Sequence, residues 1–235
     1  MLQLSYILLT IILALALYIG ASRITLKAFP ETARQKRFLL RFVLFLVLWL
    51  LYVSGISLTG IFTSAAMPPR IPLLLVLPVF VFMVLFFVRK GNKQFIAATP
   101  LSWLLYLQSF RIFVELLIWW AFVEHVLPKD ATFEGYNFDI IFGITAPFIA
   151  YAMNKNNRFA FACLIWNFCG LLSLGIVVFV LMSHAYFPAL WGTGNSILND
   201  GIGHFPFTLL GGVFMPLAVF LHVFAIIKIK RMMNG

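Results

Sequence analysis

The chain has 235 residues, of which 63% are hydrophobic and 10% are charged. A soluble domain carries about 25% charged residues, so a water-soluble fold could not cover this much apolar surface. The apolar segments are continuous rather than alternating, which predicts an all-α integral membrane protein and not a barrel. The net charge is +10, but no run combines basic and aromatic residues as a nucleic-acid surface would, and we predict no nucleic-acid partner.

Seven segments are long enough to span a membrane, taking about 20 residues for each span. They predict a seven-transmembrane-helix bundle that forms one polytopic membrane domain over residues 1–235. The first segment has no basic region before it, so we expect an uncleaved span rather than a signal peptide. The predicted spans are residues 3–22, 39–63, 71–88, 101–125, 138–153, 159–183 and 206–227.

The basic residues predict the orientation of the bundle. Most of the 17 lysines and arginines lie in one set of alternate loops and at the C-terminus, whereas the other set holds only Arg70 and Lys129. Basic loops remain in the cytoplasm. We therefore predict a protein of the bacterial inner (cytoplasmic) membrane, with its N-terminus outside and its C-terminus in the cytoplasm.

The fourth span carries the least expected residues of the chain. Within YLQSFRIFVELLIWW, residues 106–120, Gln108, Arg111 and Glu115 recur at a spacing that places them on one face of an α-helix. A charge at bilayer depth costs roughly 2.5 to 3.5 kcal/mol on insertion scales, so such residues face a bundle interior or a cavity. This pattern predicts a polar centre built around span four.

Asp139 opens span five on the outer side and is one of two candidate partners for Arg111; the other is Glu115 on the same helix. Asp139 is equally a candidate helix cap, because the helix dipole favours an anion at that end. The residues that follow it on one face, Gly143 and Ala146, are small. Small residues let helices approach closely or leave room for a ligand.

Spans six and seven each add one polar residue at depth. Asn167 either bonds a neighbouring helix or lines the site. His222 is either a hydrogen-bonded core residue or a partner of Glu115 in proton transfer. Cys163 and Cys169 fall on different helix faces and the four histidines are dispersed, so we predict no metal site, no cofactor and no catalytic residue.

The preferred hypothesis is a transporter-like multi-pass membrane protein. Its polar cavity, lined by spans four to seven and open to the outside, would bind or transport a small anionic or amphiphilic molecule. Arg111 would anchor the anion, and Glu115 would balance its charge and carry a proton. Besides membrane lipids, this small molecule is the expected partner. The predicted ligand-binding residues are Gln108, Arg111, Glu115, Asp139, Asn167 and His222.

Two alternatives remain at this stage. One is a membrane-embedded enzyme that acts on a lipid or an isoprenoid, with Glu115 and His222 as acid and base. The other is a structural or accessory subunit without a ligand site, in which the polar residues only join helices to one another. A cavity at Arg111 would distinguish binding from the structural alternative.

Overall fold

The protein is described by a computed structural model that covers residues 1–234, and for residues 157, 199 and 200 only the backbone is considered. About 80% of the chain is helical, and the described residues contain no strand. The all-α prediction is confirmed.

The helices vary widely in length. Five segments are long and apolar enough to cross a membrane, and a sixth results if two helices joined at a bend of 72° are counted as one span. Multiple membrane-length helices therefore support an integral membrane protein. The helices in the described part of the chain are α1 (Leu2–Ala28), α2 (Thr32–Leu58), α3 (Leu77–Val88), α4 (Lys93–Ala98), α5 (Leu101–Leu107), α6 (Phe110–Val123), α7 (Asp139–Lys155), α8 (Ala160–Tyr186) and α9 (Met215–Met233).

Some helix ends differ from the predicted spans. The second helix begins at Thr32 rather than at residue 39, so Arg34 and Arg37 belong to its first turns and not to a loop. The last helix continues to Met233, past the predicted end at residue 227. Helix formation does not require apolar side chains, and a helix can therefore extend beyond its hydrophobic segment into the basic residues that flank it.

The bend after α3 turns the short helix α4 back into the protein. Phe95 and Ile96 of α4 are buried. Lys228 of α9 donates hydrogen bonds to the carbonyls of Ile96, at 3.1 Å, and Ala97, at 2.9 Å. These carbonyls lie at the C-terminal end of α4, where the helix dipole favours a cation. Lys228 thus joins the last helix to the bend.

Most residues of the main core belong to the second half of the chain, and α1 contributes Leu2, Tyr6, Leu9 and Leu13. α8 packs along α7 and α9, while α5 and α6 pack against α7. α1 contacts α6 from the other side. By contrast, Val53 and Ser57 are the only buried residues of α2, and the Ser57 hydroxyl is hydrogen-bonded to the Thr208 hydroxyl at 2.7 Å. α2 is therefore the most peripheral of the long helices.

Two prolines remove backbone donors next to α2. A π-helical turn, Pro72–Val76, precedes α3, and a second one, Leu210–Phe214, precedes α9. Pro78 and Pro216 follow these turns. Because proline has no N–H group, the carbonyl four residues before each one loses its usual helical donor.

Aromatic side chains of α2 bond to both of these carbonyls. The Trp49 indole N–H donates to the carbonyl of Gly212 at 2.8 Å. The Tyr52 hydroxyl donates to the carbonyl of Leu74 at 3.0 Å. An unpaired carbonyl is costly where water is absent. These two bonds join a largely exposed helix to the π-helical turns before α9 and α3. We infer that they contribute much of the specific contact between α2 and the bundle.

Replacing Trp49 tests this attachment. Trp49→Phe removes the indole donor and leaves the carbonyl of Gly212 without a partner, so we expect a loss of about 1 kcal/mol in the free energy of unfolding. In a Pro216→Ala background, the new N–H at position 216 can bond to that carbonyl, and the same change should cost less. Unfolding titrations in mixed detergent micelles compare the unchanged protein, the two single variants and the double variant. If Trp49→Phe lowered the free energy of unfolding equally in both backgrounds, the contribution of Trp49 to stability would not come from its indole hydrogen bond.

Candidate functional site

The predicted continuous helix over residues 106–120 is interrupted in its first half. α5 ends at Leu107 and α6 begins at Phe110. The Arg111 N–H donates to the carbonyl of Gln108, three residues back, at 3.1 Å. Three-residue spacing is that of a 3₁₀ turn, which winds more tightly than an α-helix and changes the angular offset between side chains. Side chains three residues apart lie over one another in such a turn, so Gln108 and Arg111 stay on one side of the helix, and both bond to α9.

Gln108 is buried but takes its partner from α9. Its Nε2 atom donates to the carbonyl of Ala218 at 3.3 Å. Its Oε1 atom is buried and accepts no hydrogen bond from the described residues. No side-chain hydrogen bond in the described part of the chain joins Gln108 to the other five predicted site residues, so its side chain lies beside the polar centre rather than within its bonded network.

Arg111 forms an ion pair with Asp139. Its Nη2 atom contacts Asp139 Oδ1, and the two side chains are 3% and 6% exposed. Of the two partners considered for Arg111, the structure thus selects the one on another helix and not Glu115. Asp139 Oδ1 also accepts a hydrogen bond from the Ser173 hydroxyl of α8. Ser173 was not predicted as a site residue, because a single serine in an apolar span is common and carries no signal of its own.

Small residues bring α7 close enough for this ion pair. A Cβ atom on Gly143 would lie 2.8 Å from the Ile112 backbone nitrogen, so only glycine permits this approach of α7 to α6. Ala146, on the same face, is completely buried. Phe142, next to Gly143, places its ring 5.2 Å from the Arg111 guanidinium carbon, within the distance at which a cation and an aromatic face attract each other.

His222 is held between Arg111 and Asn167. Its Nε2 atom lies 2.8 Å from Arg111 Nη1, and its Nδ1 atom lies 2.9 Å from Asn167 Oδ1. Arginine can only donate, so Nε2 must accept. Asn167 uses its Nδ2 group to donate to the carbonyl of Cys163 at 2.8 Å, so its Oδ1 atom accepts from Nδ1. This bonding pattern requires a neutral imidazole with its proton on Nδ1.

Glu115 receives its partner from a loop that folds inward. Asn137 Nδ2 donates to Glu115 Oε2 at 2.6 Å and to the carbonyl of Ala131 at 3.0 Å. Asn137 is 1% exposed, and Ala131 is completely buried. The Asn137 side-chain oxygen also accepts the Asp139 N–H at 3.0 Å. Asn137 was not predicted as a site residue; an asparagine two residues before a helix start was the one signal that could have identified it.

The centre contains more buried negative groups than positive ones. In the described part of the chain, Arg111 is the only buried arginine or lysine, whereas Glu115 and Asp139 are both buried carboxyl groups. Asp139 pairs with the arginine, while Glu115 bonds the neutral amide of Asn137. No group of three or more metal-ligating side chains occurs among the described residues.

A cavity of about 110 Å³ reaches this centre. Arg111, Glu115 and Asp139 line it, whereas Gln108, Asn167 and His222 do not. The prediction placed the cavity between spans four to seven. Ile71, Pro72 and Val76 of the third predicted span also line it, and the rest of its wall is mostly apolar, with contributions from α6, α8 and the segment 202–218.

The matching family model covers residues 68–229 and is described as a domain of unknown function (DUF8737). Since the match covers more than half of the chain, the protein belongs to this family. The matched segment begins after α2 and includes all six predicted ligand-binding residues. No match is found among curated proteins or among solved structures.

The buried ion pair can be tested by removing one charge or both. Arg111→Gln leaves Asp139 without its cation, and we expect the free energy of unfolding to fall by about 3 to 5 kcal/mol. Adding Asp139→Asn removes the unpaired charge and should recover part of that loss. Unfolding titrations in detergent provide the measurement.

Lys129→Gln is the matched control for this experiment. It breaks an ion pair with Glu134 in which both side chains are exposed, at 58% and 41%, so its effect should stay below about 1 kcal/mol. If Arg111→Gln and Lys129→Gln lowered the free energy of unfolding by similar amounts, breaking the buried pair would have no special cost.

Gly170 of α8 tests the contact between Arg111 and His222. A Cβ atom at Gly170 would overlap the His222 ring, so Gly170→Ala should displace the imidazole and lower the free energy of unfolding by about 1 to 3 kcal/mol. Gly175→Ala on the same helix meets no atom within 4 Å and should be neutral or slightly stabilising. Thermal unfolding compares the two; equal midpoints would mean that the imidazole position is not tightly determined.

Proposed function

We propose that the chain is a seven-span protein of the bacterial inner membrane that binds or transports a small anionic amphiphile at Arg111, together with a proton. The N-terminus would lie outside and the C-terminus in the cytoplasm. The uneven distribution of basic loops supports this orientation. The bent segment and α7 would complete the seven spans. α7 has 17 residues, at the lower end of the range of about 17 to 25 for a span.

The imbalance of buried charges is the observation that carries the proposal. Arg111 and Asp139 neutralise each other, and among the described residues the Glu115 carboxyl group has only a neutral amide as its hydrogen-bond partner. An isolated carboxylate away from water is costly enough that the group takes up a proton instead. In the proposed resting state, Glu115 therefore carries a proton, and the centre has no net charge.

A neutral centre sets the stoichiometry of binding. An anionic group that enters the cavity would compete with Asp139 for Arg111, and the centre would then hold one negative charge too many. Uptake of one proton by Asp139 restores neutrality and releases the guanidinium. In this mechanism, each anion binds together with one proton, and the apolar wall of the cavity accommodates the hydrocarbon part of the ligand.

The geometry favours binding over the two alternatives. Both ring nitrogens of His222 are bonded, to Arg111 and to Asn167, and His222 does not line the small cavity. A role as catalytic acid or base facing a substrate is therefore poorly supported. A purely structural centre would have no need of a cavity at Arg111, which supports a ligand site.

Infrared spectroscopy can detect the proton on Glu115. Purified protein at neutral pH should show the C=O band of a protonated carboxyl group, and Glu115→Gln should abolish that band. Glu124→Gln is the control, because Glu124 is exposed and lies outside the buried centre, so this change should leave the band in place. Absence of the band in the unchanged protein, or its persistence in Glu115→Gln, would contradict the proposed resting state.

The coupling itself is measured with ethanesulfonate, a small anion with an apolar end that remains charged at neutral pH and suits a cavity of about 110 Å³. Binding in weakly buffered detergent solution, followed with a pH indicator, should take up one proton for each anion bound. Arg111→Gln should abolish saturable binding. Saturable binding without proton uptake would contradict the coupling, and binding that is unchanged in Arg111→Gln would contradict the site.

A further inference from the structure

A second, larger cavity lies in the half of the bundle that lacks the polar centre. Its volume is about 560 Å³, within the range of roughly 300 to 1,000 Å³ that is typical of small-molecule sites. It is bounded by α1, α2, α3 and the first part of α9. Arg111, Glu115 and Asp139 do not line it, so it is a separate site and does not depend on the proposed function.

The position of α2 creates this cavity. α2 stacks on the bend through Phe38 and Phe95, with ring centroids 4.7 Å apart, and on α3 through Phe45 and Phe82, at 3.7 Å. These contacts hold α2 to the neighbours on one side. The space that it leaves towards α1 and α9 is lined by apolar side chains but not filled by them. Protein interiors are normally close-packed, so a space of this size calls for an occupant.

One end of the cavity is strongly basic. Arg34, Arg37 and Arg41 recur at a spacing that places them on one face of α2, and Arg89 stands at the end of α3; all four line the cavity. In the described part of the chain, none of the four forms an ion pair with a carboxylate. Arg34 lies over the Phe29 ring, with its guanidinium carbon 4.5 Å from the centroid.

We propose that this cavity binds one anionic phospholipid. Its phosphate would lie among the four arginines, and an acyl chain would extend along the apolar wall between α1 and α9. The planar guanidinium group donates two hydrogen bonds at once to a phosphate, and basic pockets between membrane helices are typical sites for anionic headgroups. An apolar channel that ends in unpaired arginines matches a lipid in both shape and charge.

The charge pattern distinguishes this site from general attraction to an anionic membrane. Lys36, Lys90 and Lys93 lie in the same two segments as the four arginines and are exposed, but they do not line the cavity. Attraction to a surface would depend on all of these residues equally. A lipid seated in the cavity depends on the arginines.

Native mass spectrometry of the full chain in mild detergent tests the proposal, with phosphatidylglycerol and phosphatidylcholine of identical acyl chains as probes. We expect one phosphatidylglycerol to be retained, and phosphatidylcholine to be retained far more weakly. The variant Arg37→Gln/Arg41→Gln/Arg89→Gln should bind phosphatidylglycerol roughly 100-fold more weakly. Equal retention of the two lipids by the unchanged protein would overturn the proposal.

Two further variants complete the test. The control Lys36→Gln/Lys90→Gln/Lys93→Gln removes the same charge outside the cavity and should retain the lipid; equal loss in both triple variants would overturn the proposal. Ala14→Trp places an indole in the cavity wall of α1 and should displace the acyl chain while all arginines remain. If a folded Ala14→Trp protein still retained the lipid, the lipid would bind outside this cavity, and the proposal would be overturned.

Discussion

Arg111 carries a charge that it cannot lose under physiological conditions, and its side chain is only 3% exposed. Much of the surrounding structure stabilises that charge. α7 begins at Asp139 at the depth of the guanidinium, Gly143 allows α7 to approach, and His222 adopts the single tautomer that can accept from Arg111. The loop before α7 folds inward, and Asn137 bonds to Glu115. The contacts of this one cation thus come from α7 and α9, while the loop residue Asn137 provides the partner of the neighbouring Glu115.

The molecule separates its charges between two cavities of different chemistry. The smaller one ends in Arg111 and two carboxyl groups that nearly balance each other. The larger one ends in four arginines without carboxylate partners in the described chain. Buried charges must balance within the protein, and exposed ones need not. An excess of positive charge at the larger cavity therefore suits an anion from outside the chain, while an anion in the smaller cavity would, as proposed, require a carboxyl group of the centre to take up a proton.

α2 shows how an exposed helix can be held in a bundle with little buried surface. In a membrane the burial of apolar side chains does not drive helices together, and directional bonds gain importance. Pro78 and Pro216 each release a carbonyl, and Tyr52 and Trp49 bond to them. The same arrangement leaves the other end of α2 free to border a large apolar space. The large cavity and these polar contacts are thus two results of one helix position.

Composition and segment length determine that this protein is helical and built for a membrane, because a bilayer demands continuous apolar helices whatever their arrangement. The cost of burying charge likewise marks Arg111, Glu115 and Asp139 as members of a polar centre. Only the tertiary structure decides that Arg111 pairs with Asp139, that Asn137 reaches Glu115, and that Gln108 turns towards α9. Those outcomes depend on helix depth, on a 3₁₀ turn and on an inward loop. Helix depth and the inward loop result from contacts between segments far apart in the chain, and the 3₁₀ turn is a local change in backbone geometry, so none of the three leaves a hydrophobic periodicity in the sequence.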